Sequence, residues 1–179
     1  VIPTNCSLTI DEGTTLRFAK NAVLYLEGAL FVNGTKENQV FFKAENVSWG
    51  GMLITNSSER SKINFLNCEQ ANGIGPFSQN EGLDRNGWML TGSVTFHRSD
   101  VDLLNSTFKN INSEDALNLV SSNFTLLGCK FSKVKSDAFD GDFVTGEMQD
   151  CHFHDISGDG VDFSGSNAVV SNCFFTNIA

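Results

Sequence analysis

The chain has 179 residues, 40% of them hydrophobic and 18% charged, enough for one globular domain with a sizeable core and too apolar for a disordered chain. A net charge of -9, from 12 Lys and Arg against 21 Asp and Glu, disfavours a phosphate-binding surface of the nucleic-acid kind and favours cations as ligands. No apolar run reaches the roughly 18–20 residues of a membrane span, the Val1-Ile2-Pro3 start has neither a basic nor an apolar leader region, and 16 glycines, 16 phenylalanines and 19 asparagines with no long Ala/Glu/Lys/Leu stretch exclude a helical bundle.

From the N-terminus, Leu8–Ile10, Leu16–Phe18, Val23–Leu26, Ala29–Val32, Val40–Phe42, Met52–Ile54 and Ile63–Phe65 read as short strands between Gly, Asn and Lys turns. They make residues 1–70 a set of irregular coils. Residues 71–92 carry Gly73, Gly75, Pro76, Gly82, Gly87 and Gly92 without alternation, and are expected to leave the stack as a loop excursion. Matching Leu66-Asn67-Cys68 to Leu104-Asn105-Ser106 puts about 16 extra residues there.

Residues 93–179 repeat directly. Cys129, Cys151 and Cys173 recur every 22 residues, as do Phe131, Phe153 and Phe175, and Val134, Ile156 and Ile178. Ser106, Phe108 and Ile111 continue the pattern backwards with one inserted residue. A unit this short holds three strands and no ordinary helix, and a direct repeat excludes a stack of mirrored hairpins. The chain is therefore expected to coil as an all-β solenoid, one domain over 1–179, with like residues on adjacent parallel strands about 4.8 Å apart. The last strand, through Ile178, ends without an amphipathic cap, so a longer protein or a stacked neighbouring subunit is expected beyond it.

Alternation decides which residues could do chemistry. Cys129 and Phe131 share the inner face, leaving Lys130, His152 and His154 outside. The row of Cys68, Ser106, Cys129, Cys151 and Cys173 is expected to hold buried free thiols with at most one disulfide; a stacked disulfide or a metal or redox role are the alternatives. Asp115-x-x-Asn118, Asp137-x-x-Asp140 and Asp159-x-x-Asp162 repeat, with Leu117, Phe139 and Val161 inside and Asn118, Asp140, Asp162 and Asp142 outside. Stacked carboxylates repel, so the ladder needs hydrogen bonds from turn amides, protonation or a cation. Asp115, Asp137, Asp140, Asp142, Asp159 and Asp162 are accordingly candidate calcium ligands, and no cofactor is otherwise required. In the excursion, Trp88 and Arg85 are candidate sugar contacts, with Trp88 packing the loop as the alternative. Lys109, Lys130, Lys133 and Lys135 are candidate bases for a lyase, and His152 with His154 a candidate metal pair.

On these residues the sequence resembles the right-handed parallel β-helix proteins, the superfamily of pectate lyases and polygalacturonases. Glu12-Gly13-Thr14, Leu26-Glu27-Gly28-Ala29-Leu30, Trp49-Gly50-Gly51 and Asp115-Ala116-Leu117-Asn118 are similar to segments of secreted bacterial β-helix repeat proteins of no assigned activity. Ser136-Asp137-Ala138-Phe139-Asp140 resembles the N-T-D-G-F-D stretch of polygalacturonase-type hydrolases, which would give Asp137, Asp140 and Asp159, with Asp162, catalytic roles as acid and base. The chain departs from those enzymes in lacking the paired D-D of the next coil and the G-H-G and R-I-K segments. The expected function is a secreted or cell-surface module that contacts polysaccharide or serves as a scaffold with neighbouring subunits, with a polysaccharide hydrolase or lyase as the alternative. Six N-x-S/T sequons, at Asn5, Asn33, Asn46, Asn56, Asn105 and Asn123, agree with an extracellular setting without requiring it. No nucleic-acid partner and no membrane span are expected.

Overall fold

The computed structural model describes residues 1–73 and 92–179. The chain winds as a parallel β-helix of three sheets, each strand pairing with its equivalent one coil away. A coil passes through the first sheet, then the second, then the third. Seven strands form the first sheet, from Leu8–Asp11 to Asn167–Ser171, and seven the second, from Thr15–Phe18 to Phe174–Ile178. The third has six: Val23–Leu26, Gly51–Thr55, Val94–His97, Asp115–Val120, Asp137–Asp142 and Asp162–Ser164. Among the described residues no helix is long and apolar enough to cross a membrane.

Like stacks on like, because a parallel register repeats each side chain one strand spacing away. Phe108, Phe131, Phe153 and Phe175 form one column with ring centroids 4.9, 4.9 and 4.6 Å apart. One hydrophobic cluster runs from Ile10 to Ile156 through all three sheets. Trp49 is fully buried near the start of it, stacked on Phe18 at 4.1 Å, with its indole N–H donated to the Glu69 carbonyl. The two glycines after Trp49 are required by the fold: a Cβ on Gly51 would strike the Ser93 backbone oxygen, and its φ of 150° disfavours any side chain.

The corners repeat as well. Asn105, Gly128, Asp150 and Asn172 turn the chain into the second sheet with φ of 51°, 65°, 55° and 51°, left-handed values that Asn, Asp and Gly tolerate best. The Asn172 side chain donates to Asp150 in the preceding coil. At the corner into the first sheet, Ser99, Ser122 and Ser166 each donate to the carbonyl two residues back and accept a backbone N–H from the preceding coil, so inward polar groups are satisfied without water.

One expectation is corrected. Cys68 does not join Ser106 in the thiol row; it lies opposite Phe42 and Phe108, in the aromatic column. Leu66 takes the place beside Ser106 and donates its amide to the Ser106 hydroxyl, across 40 residues rather than the 38 that the sequence match implied. Leu66-Asn67-Cys68 and Leu104-Asn105-Ser106 look alike, yet Phe65, with φ 49°, and not Asn67, occupies the corner. Ser106, Cys129, Cys151 and Cys173 remain in one row, as free thiols apart from the serine.

Candidate functional site

The third sheet presents its outer face as a run of polar residues flanked by an inner face of Leu117, Leu119, Phe139 and Phe96. Tyr25, Leu53, Thr95, Asn118, Asp140 and Asp162 occupy one continuous row, one residue per coil. Thr55, His97, Val120, Asp142 and Ser164 form the next row along the strands. Exposure grades along the first row: Leu53 and Thr95 are buried, Asn118 nearly so, Asp140 half-buried and Asp162 exposed.

The sequence-predicted carboxylates fall into different environments. Asp115 and Asp137 are register partners at the starts of their strands. Asp137 Oδ1 accepts the Asp159 backbone N–H at 2.8 Å, and a Cβ on Gly158 would collide with that same oxygen. Asp137 therefore holds the next turn, the role of an Asx residue in a bend. Asp159 is exposed and contributes its amide.

Asp140 accepts the Asn118 side-chain N–H at 2.7 Å. Burial, then Asp142 and Asp162, push its carboxyl up to about 6, against the opposing hydrogen bond from Asn118. Asp115 is only 4% exposed. Burial first, then the charges of Asp140, Glu114, Asp137 and Asp142, push it to about 8, so it is protonated at neutral pH while Asp140 is mostly ionised. Repulsion in the ladder is thus relieved by hydrogen bonds and by protonation. Among the described residues, no three His, Cys, Asp or Glu side chains are grouped to hold a metal ion.

Two polar groups on this face, Thr95 and Tyr25, escaped the sequence reading, and His97 lies on the same face. Thr95 is fully buried beside Asn118, and its hydroxyl has no hydrogen-bond partner. His97 Nδ1 lies 3.1 Å from the Thr55 hydroxyl, and burial, then Arg98, lowers its pKa. Tyr25 donates its hydroxyl to Glu27 at 2.8 Å. The alternation Val94-Thr95-Phe96-His97 was the available signal, but Thr95 stands 23 residues before Asn118, one more than the 22-residue period.

Other candidates lie elsewhere. Lys109, Lys130 and Lys133 are on strands of the second sheet, and Lys135 is in the turn before Asp137; among the described residues no Lys or Arg stands on a strand of the third sheet. His152 and His154 are exposed on the second sheet, His152 stacked on Phe174 at 5.0 Å and His154 paired with Asp155 at 3.0 Å. Trp88 and Arg85 lie outside the described residues.

No protein-family model and no curated protein matches the chain. Among solved structures, the fold is similar to a variant catalytic domain of GH87 alpha-1,3-glucanase in complex with tetrasaccharides, at TM-score 0.62 and 12% identity over 93% of this chain. The chain corresponds to 34% of that one, about a third of its length. The protein is a parallel β-helix, and that glucanase domain is one solved structure that shares its fold.

Proposed function

We propose that this is an extracellular or cell-surface β-helix module that contacts polysaccharide through the outer face of its third sheet. The observation that carries the reading is the Asn118–Asp140–Asp162 row, three hydrogen-bonding side chains on successive coils of a rigid parallel sheet, with Asp115 beside them. Strand-borne groups about 4.8 Å apart suit a ligand that is itself an extended polymer, and carboxylates and amides are the groups that hydrogen-bond sugar hydroxyls. The likeness to a glucanase domain supports carbohydrate contact in general.

The divergence of Asp115 and Asp140 favours a second reading, hydrolysis. Asp140, ionised, would take a proton from the attacking water, and Asp115, protonated, would give one to the leaving oxygen, as an inverting mechanism requires. Asp137, committed to the turn, would position rather than react. A lyase with a Lys or Arg base would need one on this face, and among the described residues the third-sheet strands carry neither. The deciding experiment incubates the protein with a panel of glycans and measures both retention and products. Retention without new reducing ends supports a binding module; new reducing ends lost in Asp140→Ala support the hydrolase; unsaturated products would contradict both.

A further inference from the structure

We infer that the glycan recognised by the third sheet is an uncharged polysaccharide, not a polyuronate or a sulfated polymer. This rests on the reading of that face as the glycan-contacting surface and names its ligand class.

Charge is distributed by sheet. Among the described residues, the strands of the third sheet carry Asp115, Asp137, Asp140, Asp142 and Asp162, no Lys or Arg, and His97, whose pKa burial lowers, whereas Arg17, Lys43, Lys62, Lys109, Lys130 and Lys133 sit on strands of the first and second sheets. Asp140 spends one oxygen on the Asn118 amide, and Asp162 is exposed. An acidic polymer laid along this row would meet ionised carboxylates with no counter-charge on the strands beneath it. A neutral polymer brings hydroxyl donors, which ionised carboxylates accept as charge-assisted hydrogen bonds.

A second feature, independent of the carboxylates, points the same way. The Thr95 hydroxyl is buried and unpartnered beside this cluster, under Gly92: a Cβ built on Gly92 would sit 3.0 Å from Thr95 Oγ1, 2.9 Å from Asn118 Cβ and 3.7 Å from Asp115 Cβ. The row is thus continued by a neutral hydroxyl, which adds no counter-charge for an acidic polymer.

The test measures retention of the full chain in affinity gels at pH 7 in chelator, at low and high salt. The gels contain neutral α-glucan, β-glucan or xylan, or else polygalacturonate, alginate or a sulfated galactan. At least one neutral polymer is expected to retard the protein, with little salt dependence, and Asp140→Ala or Asp162→Ala should weaken retention about tenfold or more, the loss of one charge-assisted hydrogen bond. Glu147→Ala, an exposed carboxylate change on the first sheet, should leave it unchanged. Retention by an acidic polymer, in chelator or only after calcium is restored, would overturn the ligand class while leaving glycan contact standing. Retention by a neutral polymer that neither aspartate change weakens would overturn the site. Retention by none would overturn both this inference and the function on which it rests.

Discussion

Asn118 donates its side-chain amide to Asp140 at 2.7 Å, its register partner on the next coil, so an uncharged residue in the D-x-x-[N/D] repeat stabilises the charged one above it. Asn118→Leu removes the donor and should move the Asp140 carboxyl above 6, by about 1, since the lost bond favoured only the ionised form. A carboxyl titration by NMR reads this directly. An unchanged or lowered value would show that the hydrogen bond is not formed in solution.

Asp115 should make stability depend on pH. Its carboxyl titrates near 8 folded and near 3.9 unfolded. Below about 4 both states hold the proton and the full stability is present; as pH rises the unfolded chain releases it first, so stability falls up to about 8 and is level above. Asp140, raised to about 6, adds to the decline in its lower part. Asp115→Asn keeps the shape without the proton, so its melting temperature should decline less and exceed that of the natural chain at pH 8 by several degrees, at roughly 2–4 °C per kcal/mol. Parallel melting curves for the two proteins from pH 4 to 8 would contradict the assignment.

The thiols should react in the order of their burial. Cys6 is exposed, Cys173 partly so, and Cys68, Cys129 and Cys151 are buried. Burial, then Glu69, pushes Cys68 up to about 12, and the hydrogen bond with Cys151 together with burial raises Cys129. Alkylation of the native protein should label Cys6 first, and denaturation should bring the count to five free thiols. Three free thiols after denaturation would establish one disulfide, and fewer than three a second.

The acidic ladder is relieved by the Asn118 and Asp159 N–H groups and by protonation of Asp115. Chelation is therefore expected to leave the melting temperature unchanged. A fall of several degrees in chelator, restored by calcium, would show that a cation bound only to the folded state also contributes.

How much was legible follows from where the period holds. The columns of Phe131, Phe153 and Phe175 and of Asn118, Asp140 and Asp162 could be read directly, because a 22-residue repeat fixes both the sheet and the face of each residue. Cys68 was misplaced because it lies beside the break in the repeat, where local similarity no longer determines register, and Thr95 was missed because it stands one residue off the 22-residue period. The separate fates of Asp115, Asp137 and Asp140, one protonated, one holding a turn and one mostly ionised, depend on burial and on single hydrogen bonds that a repeated motif does not encode.

Hydrogen exchange of the full chain with and without a retained glycan tests the central claim most directly, since it maps the contact without presuming which residues make it. Protection is expected over Asp115–Val120, Asp137–Asp142 and Asp162–Ser164, with the first- and second-sheet strands of the same coils unchanged. Protection confined to Lys130–Val134 and His152–Ile156, or to Thr145–Gln149, would place the glycan on another face and contradict it.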